Sequence, residues 1–243
     1  MPSVSLVSVN VERSKHLELV LPFLEARKPD VCVQECMERD IETFQKVIGR
    51  EYVFTPLCLF GEREDEQGGL YGQAIFSLHP FSSRMATYYG GQYKPLSTFL
   101  GDTLENIAQL AKALTTAEFE KENQRFCIAT THFTWSQGGE TTDAQRTDLR
   151  ALFALLEKTP ELILAGDFNA PRGREIWGTI AGKYKDNVPV TYTSSIDPMH
   201  RAAPLQYVVD GLFTTPEYVA SDVELRFGVS DHAAITATIL KSG

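Results

Sequence analysis

The run Leu162-Ile163-Leu164-Ala165 is closed by Gly166-Asp167-Phe168-Asn169, so an apolar stretch ends in an acid and an amide. A buried strand delivers a carboxylate and a hydrogen-bonding partner to the rim of a sheet in this way, although the tetrapeptide alone is also ordinary turn chemistry. Other segments repeat the pattern: Asn10 and Glu12 in SVNVE, Glu35 in VCVQE, His132 in IATTHF, Asp210 in YVVDGLF, and Asp231 with His232 in GVSDH. Each has a bland reading. Asn10 can cap a turn, Glu35 can be a solvated strand edge, His132 a hydrogen-bonded core imidazole, and Ser230-Asp231-His232 a turn into the last strand. Asp210 is harder to dismiss, because an unpaired carboxylate in an apolar run is costly and normally has a partner.

Periodicity shows which elements position these groups. Residues 5–9 and 30–34 read as strands, and between them Leu17, Val20, Leu21 and Leu24 fall on one helical face, with Ser14 as the expected N-cap and Pro22 marking a kink or a later start. A strand, helix, strand unit of this length favours two parallel strands with a right-handed crossover, which puts Asn10 and Glu35 at one sheet edge. Further strands are expected near 52–60, 72–78, 84–89, 126–133, 207–213, 219–227 and 234–240, with a helix over 143–158 whose core stripe is Leu149, Leu152, Phe153 and Leu156. The stretch 90–114 reads as a loop followed by helix from about Thr103. Many strands in mixed order with few helices imply two packed sheets flanked by helices.

With 243 residues and 43% hydrophobic content the chain can bury a full core, and it reads as one domain, 1–243, without linker or repeat. No apolar stretch is long enough to span a membrane. The start MPSVSLVSVN lacks the basic and apolar regions of a secretory signal, so a cytoplasmic protein is expected. Cys32, Cys36, Cys58 and Cys127 lack a zinc-type spacing and read as reduced, buried thiols. A formal net charge of -9 argues against broad neutralisation of nucleic-acid phosphates. It leaves a phosphate ester open if some carboxylates hold a divalent metal, whose charge inverts the local field.

In their order and separations the segments from Asn10 to His232 resemble the endonuclease/exonuclease/phosphatase superfamily, the metal-dependent phosphoesterases similar to deoxyribonuclease I and exonuclease III. The resemblance implies an α/β fold, a four-layer αββα sandwich of two mixed sheets face to face with helices outside. It also implies roles. Glu35 is the expected ligand of Mg2+ or Mn2+, as histidine-poor carboxylate sites favour those ions over zinc. Asn10 orients Glu35, joins the metal site or contacts phosphate; Glu12 matches an acidic position near the metal; Asp231 reaches the metal directly or through water. Asp167 looks like the base that orients or deprotonates water, with Asn169 holding the phosphate or that water. Asp210 and His232 resemble an acid–imidazole pair in which the carboxylate keeps the ring oriented and protonated. His132 would bind substrate, stabilising the pentacovalent state or assisting the leaving group, and Arg172 is a further candidate substrate contact.

The chain departs from that pattern in places. No basic and aromatic insertion suited to clamping DNA lies between Asn169 and Tyr207, and Gly211 stands where the family often has a larger residue, which is expected to widen the pocket. The acidic segment 61–69, GEREDEQGG, reads as a solvated loop, or else as a lid repelling polyanions, and Arg146 as a structural residue. These features imply a monomeric phosphoesterase hydrolysing a compact phosphomonoester or phosphodiester. The alternatives are a DNA repair nuclease of exonuclease III or tyrosyl-DNA phosphodiesterase type, with nucleic acid as partner, and an inactive binding scaffold. A retired enzyme is expected to have lost one of Glu35, Asp167 or His232, and all three are present.

Overall fold

The computed structural model describes residues 2–61, 67–101 and 103–242, apart from the side chains of Val31 and Cys32. The strands are β1 (Ser3–Asn10), β2 (Asp30–Met37), β3 (Glu51–Phe60), β4 (Gly69–Ser77), β5 (Phe81–Gly90), β6 (Thr98–Phe99), β7 (Lys112–Lys121), β8 (Gln124–His132), β9 (Ile163–Asp167), β10 (Lys185–Asp186), β11 (Asp210–Thr214), β12 (Tyr218–Arg226) and β13 (Ala234–Lys241). The helices are α1 (Leu17–Arg27), α2 (Ile41–Val47), α3 (Leu104–Gln109), α4 (Asp143–Leu156) and α5 (Glu175–Ala181). One sheet has the order β12-β13-β1-β2-β4-β3-β6 and the other β10-β11-β9-β8-β7-β5. The helices α1 and α2 bury Val20, Leu24 and Phe44 against Val7, Val9 and Val33 of the first sheet. On the second sheet, α4 and α5 contribute Leu149, Leu152, Ile176 and Trp177 to the core shared with β8 and β9. The result is the expected four-layer α/β sandwich.

Strand alternation decides which groups face the seam between the sheets. In β1, Val7 and Val9 join the helix-side cluster while Val4 and Leu6 join the inter-sheet core, so Ser8 and Asn10 share the seam face. In β2 a bulge interrupts pairing between Val33 and Cys36, where Glu35 takes a φ of 58°. Val33 and Cys36 both lie in the helix-side cluster. Two residues between them, Gln34 and Glu35, are thereby released toward the other side. The strand thus runs on to Met37 through the bulge, where the sequence suggested that Glu35 ended it.

Buried polar bonds tie the sheets together. Gln34 donates to Thr130 Oγ1 at 2.9 Å, Gln73 donates to the Ala113 and Thr130 carbonyls at 3.0 and 3.1 Å, and the Thr55 and Thr115 hydroxyls meet at 2.6 Å. Each buried amide would be costly without these partners.

Other expectations need correction. Ser14 does not cap α1, which starts at Leu17 behind His16; its hydroxyl accepts from the Met37 backbone N–H at 3.3 Å, and Pro22 is carried inside the helix. The stretch 90–114 includes β6 and the start of β7, and the helix expected from about Thr103 is α3, whose N-cap is Thr103. Residues 207–209 precede β11: the Tyr207 carbonyl accepts from the Ser195 N–H at 2.8 Å, the Val208 and Val209 carbonyls accept from the N–H groups of Arg172 and Phe168, both at 2.9 Å, and Ser195 Oγ accepts from the N–H groups of Val209 and Asp210 at 2.9 and 3.1 Å. Gly211 does not widen a pocket: a Cβ there would meet Phe213 and Phe168 ring carbons at 2.6 and 2.8 Å, so glycine makes room for an aromatic cluster. Arg146 is structural, donating to both Glu175 oxygens at 2.7 Å and to Asp143. Cys36, Cys58 and Cys127 are buried free thiols. The acidic segment falls largely on residues 62–66, outside the described residues.

Gly166 has a packing reason, since a Cβ would lie 2.1 Å from the Thr131 carbonyl oxygen. Gly166→Ala is expected to destabilise the fold by about 2 kcal/mol or more, lowering Tm by roughly 4–8 °C in thermal unfolding.

Candidate active site

Strand pairing sets three of the predicted side chains in one row. His132 pairs with Asp167 across the parallel β8 and β9, and Asp167 pairs with Asp210 across the antiparallel β9 and β11. All three are buried. Facing residues of paired strands point to the same side, so the imidazole and the two carboxylates emerge together at one edge of the second sheet.

The first sheet supplies the opposite wall. Asn10 Nδ2 donates to Glu35 Oε1 and to Asp167 Oδ2, both at 3.1 Å, bridging the seam. Its Oδ1 accepts from the Glu12 backbone N–H at 3.0 Å, which fixes the amide with its NH2 toward the acids. Asn10 therefore meets the carboxylates as a donor, and its oxygen is turned away from them, contrary to its expected place among metal ligands. Asp167 Oδ1 accepts from the Asn169 N–H at 2.8 Å, and Asn169, at a φ of 49°, donates its Nδ2 to the Phe133 carbonyl at 3.0 Å. This left-handed turn holds the Asn169 side chain against the end of β8.

His232 lies close to Asp210, Nδ1 to Oδ2 at 2.9 Å, with Asp167 Oδ2 at 3.9 Å. Burial alone would depress this imidazole, but Asp210, Asp167 and Asp231 together outweigh it and hold it well above its ordinary value. His232 is thus a cation at neutral pH. His132 goes the other way: burial pushes it down to about 4, against the pull of Asp167, so it is neutral at pH 7. Its Nε2 lies 3.6 Å from Asp167 Oδ2 and 3.7 Å from Glu35 Oε1, and its Nδ1 lies 3.3 Å from the Tyr71 hydroxyl. Burial holds the Tyr71 phenol protonated, well above its usual range, and the two acids beside Nε2 favour the ring proton there, leaving Nδ1 to accept from the Tyr71 hydroxyl. The His132 backbone N–H donates to Gln73 Oε1 at 2.8 Å.

Burial raises the Asp167 carboxyl, reinforced by Asp210, while His232, His132 and the Asn169 N–H oppose it. Asp231 is pushed up to about 7, first by burial and then by Glu35 and Glu12, with His232 opposing. This crowding of acids, only partly offset at Asp231 by His232, fits a site built for a cation. Among the described residues, Asp231, His200 and His232 offer atoms close enough for one ion, as do Asp167, Asp210 and His232. The second group is already engaged by its own Asp210–His232 bond. Glu12 faces the same cleft but is held by His16 at 2.9 Å and Lys15 at 3.6 Å.

Arg172 does not reach the site. Its guanidinium donates to the Pro189 and Val188 carbonyls at 3.1 and 2.9 Å and pairs with Asp186 at 3.3 Å. The arginines lining the cleft are Arg13 and Arg201, joined by Trp135 and His200. Sequence reasoning missed these four, as well as Tyr71 and Gln73. Arg13 follows Glu12 directly, so position next to a candidate acid was an available signal. Arg201 and His200 sit in a segment without periodicity that offered none.

The family model of the Endonuclease/Exonuclease/phosphatase family matches residues 7–232, and the chain belongs to that family. Its members are hydrolases acting on phosphoester bonds, a class that includes phosphatases and nucleases. Among solved structures, an endonuclease/exonuclease/phosphatase from Beutenbergia cavernae superposes with a TM-score of 0.79 at 14% identity, covering 100% of this chain and 72% of that one. The human nocturnin catalytic domain with bound sulfate gives 0.70 at 18% identity, covering 99% and 94%. A mannosyl-6-phosphatase of Bacteroides thetaiotaomicron gives 0.69 at 11% identity, covering 98% and 99%. None of the curated proteins compared with the chain matches it. No helix among the described residues is long and apolar enough to cross a membrane.

Proposed function

We propose that this chain hydrolyses a phosphomonoester or phosphodiester by attack of water at phosphorus, supported by Mg2+ or Mn2+. The observation that carries the reading is the row of His132, Asp167 and Asp210 joined to His232 and, through Asn10, to Glu35. Glu35 and Asp231, which line the same cleft with Glu12, are the oxygen donors that would hold the ion. A divalent ion there would neutralise phosphoryl charge in a cleft otherwise crowded with acids.

The chain's own residues then divide the work. Asp167, a buried carboxylate fixed by two N–H donors, orients water and takes its proton. Protonated His232, locked by Asp210, offers its Nε2–H to a phosphoryl oxygen, and neutral His132 presents Nε2–H on the other side. Asn169 and the cleft arginines Arg13 and Arg201 position the anion.

The test is a screen of phosphomonoesters, phosphodiesters and DNA substrates with Mg2+ and with Mn2+, run beside Asp167→Ala. Metal-dependent hydrolysis lost in the variant supports the reading; full activity in the variant overturns the site. Nuclease action predicts a steep loss of binding with salt, whereas hydrolysis of a small ester is expected to change little.

Tyr71 gives a finer check. Tyr71→Phe removes the donor that fixes the His132 tautomer and is expected to lower kcat about tenfold with KM nearly unchanged. Steady-state kinetics across pH 5–8 measure both.

A further inference from the structure

The cleft has two chambers that share a polar junction. The larger, of about 380 Å³, is lined by Asp167, Asp231 and His232. The smaller, of about 200 Å³, has an apolar wall made by Cys58, Phe60, Tyr71, Phe99, Ile107 and Leu110. Phe60 anchors that wall, with ring centroids 5.6 Å from Phe99 and 6.4 Å from Tyr71, and Arg13 lies over its face at 5.5 Å. Burial holds the Cys58 thiol up at about 12 and raises the Tyr71 phenol well above its ordinary value, so neither wall group is charged at neutral pH.

Arg13, Glu35, Asn169, Trp135 and Arg201 border both chambers, which places an anionic phosphoryl group where the chambers meet. Asp167 and His132, 3.6 Å apart, face different chambers. Asp167 borders the larger chamber and not the smaller, whereas His132 borders the smaller and not the larger. Displacement at phosphorus sets the attacking and leaving oxygens roughly in line on opposite sides. With water held at Asp167, the departing oxygen leaves toward His132.

We propose that the smaller chamber is the leaving-group subsite and that it selects esters of a small apolar or aromatic alcohol over those of sugars. A cavity of about 150 Å³ lined by apolar side chains takes benzene, so about 200 Å³ admits one substituted ring or a short branched alkyl group. The charged and amide groups of the smaller chamber, Arg13, Glu35, Asn169 and Arg201, sit at the junction with the phosphoryl group, so a sugar reaching past them would surrender its hydroxyl hydration to the wall of Cys58, Phe60, Phe99, Ile107 and Leu110. In the reaction the water oxygen bonds to phosphorus, the bond from phosphorus to the alcohol oxygen breaks, one water proton passes to Asp167, which returns it to solvent, and the departing alkoxide takes a proton from solvent water to leave as alcohol.

The inference rests on the hydrolase reading above, and its test keeps the two apart. Benzyl phosphate, methyl phosphate and glucose 6-phosphate all release primary alcohols, so differences in rate report on the chamber rather than on chemistry. In the presence of Mg2+, kcat/KM for benzyl phosphate is expected to exceed that for the other two by about 30-fold or more. Ile107→Trp, which fills the chamber from α3, is expected to cut benzyl phosphate hydrolysis by about tenfold while leaving methyl phosphate unchanged. Equal rates for benzyl and methyl phosphate, or preference for the sugar ester, overturn the proposal. So does a variant that slows both esters alike in a protein whose thermal unfolding is unaltered. Binding provides the independent arm: benzylphosphonate, which cannot be hydrolysed, should bind the wild type more tightly than methylphosphonate by Trp135 fluorescence. If no ester is hydrolysed but that binding order holds, the hydrolase reading fails and the apolar subsite stands; the reverse binding order removes the subsite.

Discussion

Asp167→Asn is expected to lower metal-supported phosphoester hydrolysis by about 10²- to 10⁴-fold, the range associated with loss of a positioned general base. The substitution keeps the side chain's shape and removes its capacity to take a proton. It also disturbs the surroundings in a readable way. Asp167 accepts from Asn169 N–H through one oxygen and from Asn10 Nδ2 through the other. An amide satisfies only one of these donors and opposes the other. The variant nevertheless no longer carries the cost of a fully buried carboxylate, so the effects on stability partly offset and folding is expected to survive. The loss should therefore appear in kcat, with thermal unfolding shifted by only a few degrees. A folded variant with wild-type kcat would remove Asp167 from the role of base.

A second large effect is expected at Asp231, and in the opposite direction for stability. Its carboxyl is pushed up to about 7 from an ordinary 3.8 by burial and by Glu35 and Glu12. The folded chain therefore holds a proton there across that window while the unfolded chain releases it. Stability falls as pH rises from about 4 and levels off above about 7, where the full penalty is present. Asp231→Asn removes the titration. In the metal-free protein at pH 8 it is expected to raise stability by about 2–4 kcal/mol in urea denaturation, and by much less at pH 4. Mg2+ should close the gap by stabilising the wild type more than the variant, since an ion beside the carboxylate repays the crowding. Equal urea midpoints for the two proteins at pH 8 without metal would show that Asp231 is not strained in this way.

The site was legible in the sequence wherever a functional group closed a regular strand. Asn10, His132 and Asp167 each end an apolar run, and the pairing of β8 with β9 and β9 with β11 converts those endings into adjacency. The core stripe of Leu149, Leu152, Phe153 and Leu156 likewise let α4 be placed within two residues. Legibility failed where geometry broke the period. The bulge at Glu35 changes which side of β2 its neighbours face, so alternation read from sequence misjudges where the strand ends. Gln34 and Gln73 looked like polar residues in strands, and only the facing sheet reveals what they bond. Arg172 looked available because the sequence does not show Asp186 and two carbonyls gathering round it. Arg13, at a φ of 56°, belongs to a left-handed turn with no pattern to announce it.

The amide bonds of Gln34 and Gln73 across the seam have a mechanical consequence. Asn10 and Glu35 ride on one sheet, and His132, Asp167 and Asp210 ride on the other. Two greased surfaces of leucine and valine would resist separation but tolerate shear, because dispersion contacts have little directional preference. Directional hydrogen bonds act as dowels against that sliding. They hold the two halves of the site in register to within the reach of a single Asn10 side chain, so alignment of the catalytic groups is a property of how the sheets are pinned.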